Sequence, residues 1–261
     1  MAHTDGITLE SDRFNVRARW LEKTNTIMVC SSRTPKTVDE VDSYIEKIPV
    51  VREMYSLLKL IASIIIASWG KCLLLIGFLE LLELFIIHDS KPNAWSVILI
   101  IVGGFVLVKL CTELYRLGWH NVGFIKKIYT LFSFHGAEHK VILAYENGLK
   151  NDSDDVSFVQ SVSRCHIKCG TNFVVIYLVL YALFMTTIQI QAISEITQGL
   201  MLVVLYGVAQ EIFLYARKWP VLSLLGMAIQ KYVVTIEPDS KQIEVGLAAL
   251  RELIRLEGNK T

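Results

Sequence analysis

Phe134-His135-Gly136-Ala137-Glu138-His139-Lys140-Val141-Ile142-Leu143-Ala144-Tyr145-Glu146 is the stretch around which the rest of the chain is arranged. Residues four apart on a helix lie one turn apart on the same face, so His135 and His139 offer two imidazoles to one point. Written H-x-x-E-H, the string is the inverted form of the zinc-hydrolase signature, whose glutamate acts on a bound water. At 100° per residue Glu138 stands beside the imidazole pair, which suits a general base. Its plain alternative is an ordinary solvated helix glutamate. Glu146 shares the face of the two histidines, but the helical rise puts it roughly 10 Å beyond His139, too far for the same ion. It is expected to stand behind the ligands, to serve a second site or to contact substrate. Lys140 and Arg164 are placed in the same supporting or substrate-contacting group.

A second cluster follows about 25 residues later: Arg164-Cys165-His166-Ile167-Lys168-Cys169-Gly170-Thr171. Thiol and imidazole are ligands that zinc accepts. Three of the six histidines fall in the two clusters, and His166 with Cys169 is expected to complete a site begun by His135 and His139. Four ligands would make the zinc structural, and three with one open position would make it catalytic. The sequence leaves that fork open. The competing reading is a helix whose histidines pack against lipid headgroups, with Cys165 and Cys169 as buried thiols.

Composition points to a membrane. Of 261 residues 53% are hydrophobic, and the mean hydropathy is +0.45. A net charge of +1 without a long basic face argues against nucleic acid as a partner. Five cysteines, an odd number with two in apolar runs, do not form a secreted disulfide framework. The charged first fifty residues lack the pattern of a secretory signal.

Residues 1–12 read as polar and loose. Arg13 to Trp20 alternates with the period of a half-buried strand, Glu22 to Asn25 turns, and Thr26 to Cys30 returns as a hairpin partner. Thr37 with Glu40 resembles a capping box opening a helix toward Lys47. An interfacial helix is expected near 57–70, and membrane spans near 71–88, 94–114, 169–194 and 196–216. The fold class expected is thus an α-helical integral membrane protein. It has about four transmembrane helices and a small cytoplasmic α/β portion, made of the N-terminal hairpin and a C-terminal strand and helix. Five segments follow: 1–56, 57–114, the loop 115–168 with the metal site, 169–216 and 217–261. Lys and Arg concentrate before residue 60, in 115–168 and after 216, which places both termini and the long loop in the cytoplasm. Tyr232 to Ile236 is strand-like and a candidate to join the hairpin. Asp239 with Gln242 caps an amphipathic helix through Ile243, Leu247, Leu250 and Ile254.

With these residues in place, the chain resembles the YqhQ-like bacterial membrane family, domain-of-unknown-function family 1385, usually described as metal-dependent enzymes. Phe134 to Lys140 with Ala144-Tyr145-Glu146 resembles its H-G-A-E-H-K…A-Y-E. Arg164 to Phe173 resembles its R-x-H-P-R-C-G-T-x-F, and Glu237-Pro238-Asp239 through Leu250 its closing E-P-x-D-x-Q-I-E-V-A-x-x-A-L. The similarity runs from about Ile48 to Leu250. It implies His135, Glu138, His139, His166 and Cys169 as the site and supplies no substrate.

The expectation is therefore a zinc-dependent enzyme of the bacterial cytoplasmic membrane, a hydrolase using a metal-activated water at the cytoplasmic surface. Its partners would be the lipid bilayer and a substrate or protein at that face. The alternative is a non-catalytic scaffold or assembly factor with a structural zinc. A third reading, a transporter using Glu80 and Glu83, is disfavoured by the small number of spans and the lack of paired broken helices.

Overall fold

The computed structural model of the chain describes residues 1–34, 50–51, 54–55, 57, 94–149, 156–187, 195–216 and 223–258. The chain divides into two compact units. One gathers Met1–Thr37, Gly104–Thr171 and Ser223–Thr261; the other holds Val38–Gly103 and Asn172–Leu222.

The first unit begins with a three-stranded antiparallel sheet of order β1-β2-β3: Gly6–Glu10, Phe14–Leu21 and Thr26–Arg33. In β2 every second side chain turns inward, so Val16 and Ala18 are fully buried while Arg17 and Arg19 stay half-exposed. The β2–β3 turn is closed by Asn25, whose positive φ of 54° is one that asparagine tolerates better than most residues. Residues 1–12 are not loose, because Gly6–Glu10 forms β1 against β2, with Leu9 opposite Val16 and Ile7 opposite Ala18. Its apolar signal is only two residues long, Ile7 and Leu9, and both become buried once the neighbouring strand is present.

Among the described residues the helices are α1 (Ala94–Arg116), α2 (Gly123–Glu146), α3 (Val156–Ser161), α4 (Gly170–Thr187), α5 (Glu195–Ala216), α6 (Leu224–Ile229) and α7 (Ser240–Gly258). The Asp239 carboxylate accepts the Gln242 backbone N–H at 2.8 Å, and the Gln242 side chain accepts the Asp239 N–H at 3.0 Å. This reciprocal cap satisfies two donors that the start of α7 would otherwise leave open. Helix α7 lays Ile243, Leu247 and Leu250 against β1, β2 and α2, and turns Glu244, Arg251 and Arg255 to solvent. Each such buried aliphatic side chain contributes roughly 1.5–3 kcal/mol. Helix α2 ends where Asn147 and Gly148 take over, Gly148 at φ +93° and Leu149 N–H bonding the Ala144 carbonyl at 2.9 Å.

Tyr232 to Ile236 does not join the sheet. Gln230–Val234 is a π-helical turn continuing α6, and Thr235 folds back by donating N–H and hydroxyl to the Gln230 carbonyl at 2.9 and 2.6 Å. The run of β-branched residues reads as a strand, yet helical continuation from α6 claims Val233 and Val234 first. Ile236 then donates its N–H to the Phe132 carbonyl of α2 at 3.0 Å.

In the second unit, α4 and α5 carry an aromatic ladder. Phe173 meets Tyr206 edge-on at 5.0 Å and Phe213 at 6.2 Å, and Tyr177 meets Tyr206 at 6.3 Å. The Glu211 carboxylate accepts the Val50 N–H at 3.4 Å.

The membrane architecture is overturned. Among the described residues no helix is long and apolar enough to cross a membrane. Three expected spans fall on α1, α4 and α5, which carry polar residues at or near their described ends. α1 carries Lys109, Glu113 and Arg116 in its last turns, with Lys109–Glu113 paired at 2.6 Å. α4 opens on Gly170-Thr171-Asn172, and α5 is polar at Glu195, Thr197, Gln198, Gln210 and Glu211. A crossing needs about 20 largely apolar residues. The four-span fold, the multi-pass membrane location and the orientation inferred from loop charge fall with it. These helices nonetheless leave apolar side chains exposed, Val106 on α1 and Leu200 on α5 among them. The Thr37–Glu40 cap, the segments near 57–70 and 71–88, Glu80 and Glu83 lie outside the described residues.

Asp5, just before β1, receives Arg19 at 2.7 Å and Arg17 at 3.2 Å from the adjacent strand. Burial raises its carboxyl pKa, but the two arginine hydrogen bonds outweigh burial and hold it below the usual 3.8. A depressed carboxylate stabilises the fold above its unfolded pKa and loses that effect as pH falls through the folded one. Because all three groups are a third or more exposed, the contribution is at most about 1 kcal/mol. Denaturant melts of Asp5→Asn should therefore trail the unmodified chain by a constant margin above about pH 5. The two should converge as pH drops below 3.8.

Candidate metal centre

His135 and His139 project from one face of α2, ring centroids 4.4 Å apart. Cys169 arrives from the turn ahead of α4, shaped by its N–H bonding the His166 carbonyl at 3.1 Å. The ligand atoms of His135, His139 and Cys169 all lie within 4.8 Å of one another. Both imidazoles are held from behind. His135 Nδ1 lies 3.0 Å from the Val234 carbonyl and His139 Nδ1 2.8 Å from the Arg164 carbonyl. A carbonyl only accepts, so each Nδ1 carries the proton and each Nε2 is the nitrogen left to bind. This is the arrangement that fixes tautomer and ring direction in histidine metal sites. His135 Nε2 is 3.5 Å from Cys169 Sγ.

The electrostatics fit a thiolate. Burial would raise the Cys169 thiol, but hydrogen bonds from His135 and His139 overcome it and lower its pKa to about 5. Burial likewise lowers His135, and Cys169, together with Glu138 and the Val234 carbonyl, more than offsets that, leaving its pKa raised. Thr171 donates its backbone N–H to the sulfur at 3.5 Å, and its hydroxyl oxygen lies 3.4 Å from it. Cys165 differs: burial pushes its thiol up.

The remaining sequence candidates are placed differently. His166 is buried, and its ring centroid is 6.0 Å from that of His139. Its Nδ1 accepts the Lys168 N–H at 3.3 Å, and its Nε2 is 3.0 Å from Glu146. Glu146 also receives Lys168 Nζ at 2.6 Å, and these bonds, Lys168 first and His166 second, hold its carboxyl below the usual range. His166 is thus committed to Glu146, away from the triad. Glu138 is 15% exposed at its side chain and accepts the Met1 ammonium at 2.9 Å. Lys140 is buried and donates to the Gln160 and Val162 carbonyls at 2.6 and 2.7 Å and to Glu237 at 2.8 Å. Arg164 donates to Glu237 at 2.8 Å and to the Lys231 carbonyl at 3.0 Å.

Four contributors escape a reading by residue type: the Val234 carbonyl, Gln230, Glu237 and Gly136. Gln230 accepts the His166 N–H at 2.9 Å and is fully buried. A Cβ on Gly136 would lie 2.2 Å from the Ile236 carbonyl oxygen, so only glycine lets that segment reach α2. The one available signal for Glu237 is its place in the closing Glu237-Pro238-Asp239 block.

Residues 28–256 match the family described as "Protein of unknown function (DUF1385)", and the chain belongs to that family. It is 30% identical over 160 residues to "Uncharacterized protein YqhQ" of Bacillus subtilis (strain 168), covering 59% of this chain and 48% of the relative. The chain therefore spans about half the length of the curated relative it matches. No solved structure matches.

Two outcomes follow from the site's packing. In metal-free protein, iodoacetamide should label Cys169 ahead of Cys165 at pH 6–7, with the Cys169 rate falling by half only near its pKa of about 5. Peptide mapping of the label reads this directly. Gly136→Ala should destabilise the fold by roughly 1–3 kcal/mol in a denaturant melt, because the clash is with backbone.

Proposed function

We propose that this chain is a zinc-dependent hydrolase built on His135, His139 and Cys169. The observation that carries the reading is the number of converging donors. Three atoms gather at one point, and His166, the residue expected to close the set, is engaged by Glu146 and Lys168. Three protein ligands with a vacant fourth direction is the catalytic pattern for zinc, whereas structural sites are closed by four. Among the described residues no fourth His, Cys, Asp or Glu joins the group. The mixed imidazole and thiolate set favours zinc over the oxygen-preferring magnesium and calcium. When bound, such an ion polarises a carbonyl or phosphoryl oxygen and makes water acidic enough to attack near neutral pH.

The chain's own groups do the rest. The Val234 and Arg164 carbonyls keep both Nε2 atoms aimed at Cys169. Thr171 steadies the thiolate through its backbone N–H. Glu138, next to His139 on α2, is the proton carrier in this reading; to act it exchanges its contact with the Met1 ammonium for one with substrate.

Elemental analysis of the purified chain should find about one zinc per molecule, and His139→Ala and Cys169→Ser should each lose most of it. Glu138→Gln should keep the metal and lose at least about a hundredfold in hydrolysis across a panel of peptide, ester and phosphoester substrates. A metal content well below one, or full activity in Glu138→Gln, would overturn the reading.

A further inference from the structure

A cavity of about 420 Å³ opens between residues 162–165, α6 and the π-helical turn. Its polar wall is Lys140, Arg164, Lys231 and Glu237; its apolar wall includes Val162, Met227, Ala228 and Tyr232. The charges do not balance. Three cationic side chains face a single carboxylate, an excess of two positive charges.

The donors are partly spent and partly waiting. Lys140 uses all three of its N–H groups on Gln160, Val162 and Glu237, so it acts as a fixed charge. Arg164 spends one Nη on Glu237 and the other on the Lys231 carbonyl. Its Nε, however, is buried and has no hydrogen-bond partner. An unmet buried donor is unfavourable and calls for an explanation. The Lys231 ammonium rests over the Tyr232 ring at 5.5 Å, on the rim of the same cavity.

We infer that this cavity binds a small organic phosphate. Its oxyanion would be received by the Arg164 guanidinium and the Lys231 ammonium, and its apolar body would lie against Met227 and Tyr232. The excess of two charges matches a phosphate monoester, which carries about −1.5 to −2 at neutral pH, better than a monovalent carboxylate. Each Arg164 Nη keeps a second N–H beyond the one given to Glu237 or to the Lys231 carbonyl, and the size falls within the range of small-molecule sites, ~300–1,000 Å³. Glu237 already shows the recognition in miniature: its two oxygens each accept a hydrogen bond, one from Lys140 and one from Arg164. This site stands apart from the hydrolase reading and does not depend on it.

Titration calorimetry of the full chain with phenyl phosphate, inorganic phosphate and benzoate, at matched ionic strength, tests the inference. Phenyl phosphate should bind saturably and about tenfold tighter than the other two. Lys231→Gln, an exposed position, should weaken phenyl phosphate roughly tenfold, and Glu237→Gln should tighten it by removing the competing carboxylate. Cys169→Ser, which removes a proposed metal ligand, should leave the affinity within about twofold. The inference is overturned by an absence of saturable phosphate binding, or by Lys231→Gln binding like the unmodified chain. Loss of binding in Cys169→Ser would move the phosphate to the triad and also overturn it. Inorganic phosphate binding as tightly as phenyl phosphate would overturn the organic assignment.

Discussion

At Gly136 helix α2 has no side chain, and the Ile236 carbonyl occupies the space a Cβ would take. The Ile236 N–H bonds the Phe132 carbonyl one turn earlier, so backbone contacts pin the 235–239 segment to the helix, and the Lys140–Glu237 pair adds a side-chain tie. From that contact outward the placements are short and leave little freedom. Two residues before it, the Val234 carbonyl meets His135. One residue after it, Glu237 meets Lys140 and Arg164, and two further on Asp239 caps α7. A single close approach of two backbones thereby sets imidazole direction, cavity charge and the start of the helix that covers the sheet.

Burial then decides which charges persist. The Cys169 thiol loses hydration, which alone would keep its proton on, yet two imidazoles and Thr171 reverse that balance. His166 and Glu146 form a separate pair behind the triad, tied to the surface by Lys168. One run of sequence, Arg164 to Cys169, therefore serves three ends: a carbonyl for His139, a partner for Glu146 and the sulfur.

Much of this was legible. The spacing of His135 and His139 gives a shared helix face, the alternation at Phe14 to Trp20 gives a strand, and Asp239 with Gln242 gives a cap, since each depends on local periodicity. The pairing of Cys169 with that helix face was legible from ligand chemistry alone. Its exclusion of His166 was not, because it rests on where Glu146 and Lys168 lie in three dimensions. Strand β1 escaped because two apolar residues are too few to show a period. Hydrophobic content suggests membrane spans, yet it reports what a helix is made of and not how far its apolar stretch extends before polar residues such as Lys109 and Arg116. The role of Gly136 was invisible, since a contact between backbones leaves no pattern in side-chain identity.

Lys140 draws one further consequence from this packing. Its three acceptors come from three separate places, the end of α3, the turn after it and the segment before α7, and they converge on a tetrahedral ammonium. A planar guanidinium points its donors outward in a fork and could not satisfy three such directions from one buried centre. The position thus discriminates between two residues of equal charge. Among natural replacements, the conservative exchange to arginine should be as poorly tolerated as outright neutralisation.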